Sequence, residues 1–426
     1  MRRLRLTLAL SLLVLSTLAC NLPTGAATVA PLPSLPPLPT EPPTATAQVA
    51  TVAPADPTTT PAPLGPTPAP ADPAPPTSDR PIVFVEPVPE IYGGLGNIAT
   101  IQPNGSNYTL LTTYNYNRDP LLSPNGQWIA YRSVPRTIVD TGNPADIFNS
   151  ENYNIWLITP DGSTAVQLTS NPDVRSAPVW SHDSQWVYYI EGVDRTLIQH
   201  NIVTNERFPI RPGVSFVAPR PNDLGLAYVA IPDGMLYYLS QTDQTTQLTF
   251  PQALGPNRVI DAVWFPDGAH IAFTTADETE RIEGTTLGIV YAAWTVSNTG
   301  ASGSQIASDI QRLRVSPDGR YLAGFTGSGY GDACSVDWQL TFLQFTATDR
   351  KSAVRIAQDQ LPLPAFNAAL EGGMWYPSFT YGEWYDPTTF INTFNLTCAN
   401  DYSSVGLYAV YPDTLQLTQL RAQSPF

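Results

Sequence analysis

The chain has 426 residues, a formal net charge of −15, 44 prolines and only 13% charged residues. Its few cations are scattered arginines with a lone lysine, Lys351, so it lacks the basic stripe that a nucleic-acid surface requires. Its three histidines, His182, His200 and His270, show no metal-ligand spacing and are assigned no role.

Residues 1–19 have the three parts of a bacterial export signal: Arg2, Arg3 and Arg5, an apolar run over 6–15, then small residues. The apolar run is too short to span a membrane as a permanent helix. Ser16-Thr17-Leu18-Ala19-Cys20 resembles a lipoprotein cleavage box, with Thr17 where Leu is commoner. The resemblance implies that Cys20 is the lipidated first residue of the mature chain, held at the membrane by its acyl groups. An ordinary secretory signal with an incidental cysteine is the alternative. Asn21 stands where an inner-membrane retention signal would carry Asp.

Residues 20–80 begin with Cys20 and continue as a stretch rich in Pro, Thr and Ala. Such a composition cannot bury enough apolar surface to offset its ordering entropy, so a disordered tether is expected. At about 3.1 Å per residue in polyproline II geometry, roughly 60 residues reach close to 190 Å. The bland reading is a bare spacer; O-linked sugars on Thr-Pro sites are the alternative.

From residue 81 to the C-terminus one grammar repeats. Residues 154–190 read as four short strands joined by three turns. Ile155, Leu157 and Thr159 alternate with Trp156 and Ile158, the period of two of a half-buried strand. Pro160-Asp161-Gly162 and Ser181-His182-Asp183-Ser184 are turn sequences, in which Asp bonds its own backbone and Gly accepts a positive φ. The second half of the unit recurs at 120–133 (PLLSPNGQWIAYRS), 262–275 (AVWFPDGAHIAFTT) and 313–326 (LRVSPDGRYLAGFT), with a degraded copy at 216–230. The first half recurs at 97–112, 235–249 and 405–419. The turn residues Asn125, Asp183, Asp223, Asp267 and Asp318 fall about 40 to 60 residues apart, near the period of a four-stranded propeller blade.

These residues resemble the TolB-type, WD-like β-propeller repeat over residues 81–426. Nothing matches the α/β domain that precedes the propeller in TolB-like proteins. The expectation is an all-β chain whose propeller of four-stranded blades follows the tether. Seven blades are favoured, the first lacking one strand, with six as the alternative. Residues 82–85 are read as a lone inner-blade strand, and how the ring closes is left open. By the family's strand order the Pro-Asp-Gly turns share one face. The long insertions at 134–153, 276–286, 327–337 and 395–404 share the other and frame the channel mouth. Asp146, Asn152, Glu278, Glu280, Tyr330, Asp332, Asn400 and Tyr402 on those insertions are the candidate binding-face residues, because long loops on a rigid scaffold usually carry binding.

Other candidates carry a bland alternative. Cys334 and Cys398 occupy equivalent loops of adjacent expected blades, and a disulfide between them competes with two separate thiols. Asp277, Glu278, Glu280 and Glu283 concentrate acid in one loop; a solvated loop is favoured over bound calcium, and no cofactor is expected. Trp375, Tyr376, Phe379, Tyr381, Trp384 and Tyr385 crowd the last blade, where core packing is favoured for the group. Tyr381, Trp384 and Tyr385, in an expected turn at 381–386, are the exceptions that would be exposed to stack on sugars. There is no G-x-S-x-G elbow and no phosphate-cradling G-x-x-x-x-G-K-[ST] motif, so no catalytic constellation is recognisable.

The expectation is therefore a monomeric, lipid-anchored extracytoplasmic protein whose propeller binds an envelope protein or peptide segment. That is the kind of work TolB-like propellers do. Carbohydrate binding, with lyase or hydrolase activity on polysaccharide, is the alternative.

Overall fold

The chain divides into two units, residues 1–71 and 72–426, and every described residue belongs to the second. The computed structural model describes residues 80–88, 95–143, 146–147, 153–171, 173–223, 225–249, 257–277, 290–300, 303–327, 339–363, 375–396 and 406–422.

Six antiparallel four-stranded groups follow one another, each strand pairing with the next in sequence. They are β4–β7 (Asn117–Leu122, Ile129–Ser133, Asn154–Ile158, Ala165–Gln167) and β8–β11 (Val179–Trp180, Trp186–Glu191, Thr196–Asn201, Arg207–Arg211). Next come β12–β15 (Val214–Pro219, Gly225–Ala230, Leu236–Ser240, Thr245–Gln247) and β16–β19 (Arg258–Trp264, His270–Asp277, Val290–Ser297, Ser304–Ser308). The last two are β20–β23 (Ile310–Val315, Tyr321–Thr326, Gln339–Phe345, Ala353–Ala357) and β24–β27 (Trp375–Asp386, Thr389–Leu396, Gly406–Tyr411, Gln416–Ala422). A three-stranded group precedes them: β1 (Ile82–Pro87), β2 (Gly96–Ile101) and β3 (Thr109–Leu110). It touches the β4–β7 group through the single ladder pair Gly96–Asn117. The chain is a β-propeller, with six four-stranded blades and a preceding three-stranded group among the described residues.

Each sheet is apolar on both faces, so no blade can bury itself. Seven apolar clusters occur among the described residues, and each draws on two neighbouring blades. Val83, Val85 and Ile98 of the first blade meet Leu122, Ile129 and Tyr131 of the second. Ile82, Phe84 and Ala99 of the first blade meet Ile391, Leu407 and Ala409 of the last. The ring therefore closes by side-chain packing, reinforced by Arg421 donating to Glu86 at 3.0 Å. The Arg421 guanidinium also lies 3.6 Å from the centre of the Tyr108 ring.

Two sequence expectations are corrected. β1 is the second strand of its blade, since it pairs with β2 as β5 pairs with β6. The innermost position, which Asn117–Leu122 fills in the next blade, is not occupied by any described strand of the first. Residues 381–386 are strand, not turn: β24 runs through Asp386, and the hairpin bend falls between Asp386 and Thr389. Gly382, Glu383 and Trp384 pair with Asn392, Ile391 and Phe390, which carries the strand through the expected turn.

The Pro-Asp-Gly turns behave as their chemistry dictates. Ser316 donates its hydroxyl to Asp318 at 2.7 Å, and the same Asp318 oxygen accepts the Arg320 amide at 3.0 Å. Ser123 with Asn125 and Ser181 with Asp183 repeat the arrangement. Ser184 takes the positive φ, 63°, that Gly319 takes at 70°.

Three tryptophans staple neighbouring inner strands. Trp180, Trp264 and Trp384 donate their indole N–H to the carbonyls of Leu121, Ala218 and Arg314 at 2.9, 3.0 and 2.8 Å. Each carbonyl belongs to the blade before. Trp264→Phe keeps most of the buried ring but loses the bond to the preceding blade. It is expected to lower stability by about 1–2 kcal/mol, measured as a lower urea midpoint with unchanged slope.

Candidate functional site

Antiparallel alternation fixes which connections share a face. The links β5–β6, β17–β18, β21–β22 and β25–β26 join second to third strands, so the long insertions leave the disc on the face opposite the Pro-Asp-Gly turns. The first of them is partly packed down. A short helix α1 (Arg136–Val139) sets Ile138 and Val139 against the core with Val134 and Ile147.

The inner strands carry the charge. β4, β12, β16, β20 and β24 each break register against their partner, at Arg118/Leu121, Val214/Phe216, Val259/Asp261, Gln311/Arg314 and Pro377/Gly382. Such bulges re-aim side chains. Asp119, Asp261 and Arg312 each stand four residues before the turn residue Ser123, Phe265 or Ser316, so they occupy one level of the ring. Asp119 and Arg312 hold positive φ of 51° and 55° at the bulges.

Asp119 is the best-defined centre. Arg132 and Arg118 donate their Nε–H to its Oδ2 at 2.7 and 3.0 Å. Both guanidiniums also lie over the Tyr153 ring, at 4.8 and 5.8 Å. Burial alone would raise the Asp119 carboxyl; Arg132 and Arg118 reverse that and hold it below the usual carboxylate range. Across the ring, the Arg312 amide donates to Asp261 Oδ2 at 2.7 Å. Burial pushes the Asp261 carboxyl up, against the opposing pull of Thr274 and Arg314. Burial and then the neighbouring Arg314 lower the Arg312 guanidinium, while Asp261 and Asp119 act the other way. Arg312 on β20 thus lies near enough to Asp119 and Arg118 on β4 to feel their charge.

Glu383 on β24 completes the set. Arg80 approaches it to 3.7 Å, and its carboxyl is raised by burial against the pull of Arg80 and Arg314. Among the described residues the channel region therefore gathers five arginines (Arg80, Arg118, Arg132, Arg312, Arg314) and three carboxylates (Asp119, Asp261, Glu383). It is locally cationic inside a chain of net charge −15. Arg312 and Arg314 are exposed.

The expected site residues fare unevenly. Asp146 is half-buried and its Oδ2 accepts from Asn143 at 3.0 Å, so its own loop engages it. Asn152, Glu278, Glu280, Tyr330, Asp332, Asn400 and Tyr402 lie outside the described residues, as do Cys20, Cys334 and Cys398. Asp277 is a buried strand end. Trp384 is corrected: it is 6% exposed, edge-on to Phe342 and Phe390 and bonded through its indole, so it is core rather than a sugar platform. Tyr385 is half-buried against the cluster between the last and first blades, and Tyr381 lies within the strand β24. His200 is buried in its blade between Tyr189 and Asn205, and His270 bonds Asp267 at a turn. Sequence reading missed the channel charges. The signal was there: Asp119, Asp261 and Arg312 break the apolar pattern of an inner strand at one repeated offset.

No protein-family model matches the chain, and no curated protein matches it in sequence. Among solved structures it is similar to TolB from Acinetobacter baumannii, at 15% identity and TM-score 0.46, over 68% of this chain and 65% of that one. It is similar to the Cps50 (Swd1) β-propeller domain of Myceliophteria thermophila, at 13% identity and TM-score 0.45, over 72% and 87%. It is also similar to an oligogalacturonate lyase in complex with manganese, at 12% identity and TM-score 0.38, over 79% and 97%. At these identities the likeness is one of fold alone, and the propeller rests on the chain's own sheets. The TolB-like, WD-like propeller expected from the turn repeats is the architecture found.

Asp119→Asn leaves two shielded guanidiniums without their countercharge and is expected to cost about 3 kcal/mol at pH 7. The folded carboxyl lies below the ordinary value of 3.8, so its contribution is complete above that pH and is lost as pH falls through the depressed value. Urea unfolding at pH 7 and pH 3 should therefore show a smaller acid-induced loss in the variant than in the parent.

Proposed function

We propose that this protein is a non-enzymatic binding platform, monomeric and held outside the cytoplasm by lipid on Cys20. Its channel mouth and long-insertion face receive an extended segment of another envelope protein. The carrying observation is the charged ring of the inner strands, set at one level of a rigid disc and open to water at Arg312 and Arg314. A polypeptide segment bearing carboxylates matches that chemistry, because guanidinium forks bind carboxylates with directional, charge-assisted hydrogen bonds. Sugar recognition, with or without cleavage, is the competing reading. Its aromatic motive weakens because Trp384 is buried in the core. No cofactor is invoked.

The binding arm is tested by in-cell crosslinking and capture, comparing the parent with Arg312→Gln/Arg314→Gln. Loss of the captured partner by at least tenfold, with an unchanged melting temperature, is the expected result. Lys351→Gln, on the exposed turn between β22 and β23, should leave capture intact. Equal capture by the parent and the double variant would overturn the channel as the site, and release of oligosaccharide from a polyuronate would overturn the non-enzymatic reading.

The anchor is tested separately. Cys20→Ser should abolish incorporation of a labelled fatty acid and move the protein from the membrane pellet to the soluble fraction. Unchanged pelleting without label would mean that something other than acyl chains holds it.

A further inference from the structure

The inner strands hold two kinds of carboxylate. Asp119 is fully engaged, with the Nε–H groups of Arg132 and Arg118 at 2.7 and 3.0 Å. Asp261 on β16 is not: its Oδ2 accepts the Arg312 amide at 2.7 Å, while its Oδ1 is buried with no hydrogen-bond partner. Opposite it in the ladder stands Thr274, fully buried, whose hydroxyl also has no partner. That hydroxyl is near enough to draw the Asp261 carboxyl down but lies outside hydrogen-bond geometry. Glu383 on β24 has Arg80 at 3.7 Å, beyond hydrogen-bond reach. Arg314 lies between these two acids on β20, the strand that packs against both β16 and β24. Its charge acts on both carboxyls, yet its one hydrogen bond among the described residues runs from Nη1 to the Leu313 carbonyl at 2.9 Å.

A shielded carboxylate without a partner is costly, and a proton removes that cost. We propose that Asp261 and Glu383 are a proton gate on the binding platform: as anions they hold Arg314 for themselves, and once protonated they release it to a carboxylate of the partner segment. This rests on the reading of the inner strands as the site for that segment. Asp261 is the principal member. A proton on its Oδ1 turns an orphaned acceptor into a donor facing the Thr274 hydroxyl, so acid and hydroxyl satisfy each other. Glu383, with 33% of its side chain exposed, is the wetter member and exchanges its proton with water directly. Burial raises both carboxyls, so the gate titrates above the ordinary carboxylate range, whereas Asp119 is held below it and stays anionic throughout.

The charged groups facing Asp261 are Arg314 and Arg312, with Asp119 and Arg118 reaching Arg312 in turn. β12, which also packs on β16, carries no titratable residue, and β17 carries His270 and Asp277 only at its two ends. Glu383 faces Arg80 and Arg314. Its ladder partner β25 has no titratable residue, and β4 brings the Asp119 cluster against β24. A carboxylate bound at Arg314 repels an anionic Asp261 or Glu383, so binding draws protons onto the gate. Affinity therefore rises as pH falls through the range of the gate, by at most about tenfold per pH unit for each proton taken up. The gain ends where the partner's own carboxylates begin to protonate.

The test is titration calorimetry of the full chain in detergent micelles with a synthetic hexa-aspartate peptide. It is run at pH 7.5 and pH 5.5, each in two buffers of different ionisation enthalpy. The parent should bind at least about fivefold tighter at pH 5.5 and take up protons on binding. Asp261→Asn/Glu383→Gln keeps both groups neutral at equal size. It should bind at pH 7.5 within about twofold of the parent at pH 5.5, and equally at both pH values. Proton uptake by the parent requires no variant, so it decides the matter even where the double variant folds poorly. Equal affinity of the parent at both pH values without proton uptake would overturn the gate and leave the platform reading in place. A pH response that persists in the folded double variant would also overturn it and assign the response to other groups. Absence of binding by either protein at either pH would overturn the gate together with the carboxylate-binding reading.

Discussion

Everything in this molecule depends on the fact that a blade with two apolar faces has no stable existence alone. The seven clusters found among the described residues all straddle blade boundaries, so the hydrophobic core is a ring of interfaces rather than a centre. Burial of side chains such as Phe84, Phe273 and Phe394, each at 1% exposure or less, is worth about 2 kcal/mol apiece, but only while both neighbours are in place. Loss of one blade would uncover two faces at once. Closure is accordingly a stability requirement, met here by the Phe84 side of the first blade and the Ile391 side of the last, with Arg421 and Glu86 at the rim.

That arrangement leaves the middle of the disc to other chemistry. Inner strands have neighbours on one side only, and their bulges turn polar residues into the channel without breaking the interfaces. The Arg132–Asp119–Arg118 cluster is stable because one carboxylate serves two guanidiniums and an aromatic face covers them. Asp261 and Glu383 sit in the opposite condition, with carboxyls raised by burial and arginines only partly compensating. A rigid frame holding incompletely matched charge in a wet cavity suits a ligand that completes the match.

The fold was legible because its signals are local. A Ser or Thr two residues before an Asp, followed by Gly or Ser and a run of alternating apolar residues, specifies a hairpin whatever surrounds it, as Asp161, Asp183 and Asp318 illustrate. The six four-stranded groups found among the described residues followed from those signals. Trp384 was misjudged because aromatic crowding looks the same whether rings face solvent or the neighbouring sheet; only the neighbour, here Phe342 and Phe390, decides. The role of β1 was misjudged for a related reason. An apolar strand such as Ile82–Pro87 has the same pattern in an inner or a second position, and only its partner β2 distinguishes them. The channel charges required both kinds of knowledge, an offset within the repeat and the closure of a ring that brings Asp119 and Arg312 within reach of each other.

The short first blade also determines how the disc would bear tension. Among the described residues a pull toward the N-terminus enters at Arg80 and Ile82, and β1 is tied by ladder bonds to β2. The first bonds loaded are those of Ile82 with Ile101, at the end of the ladder, so the strand is peeled pair by pair rather than sheared as a unit. Among the described strands this ladder end is the seam that opens first under load.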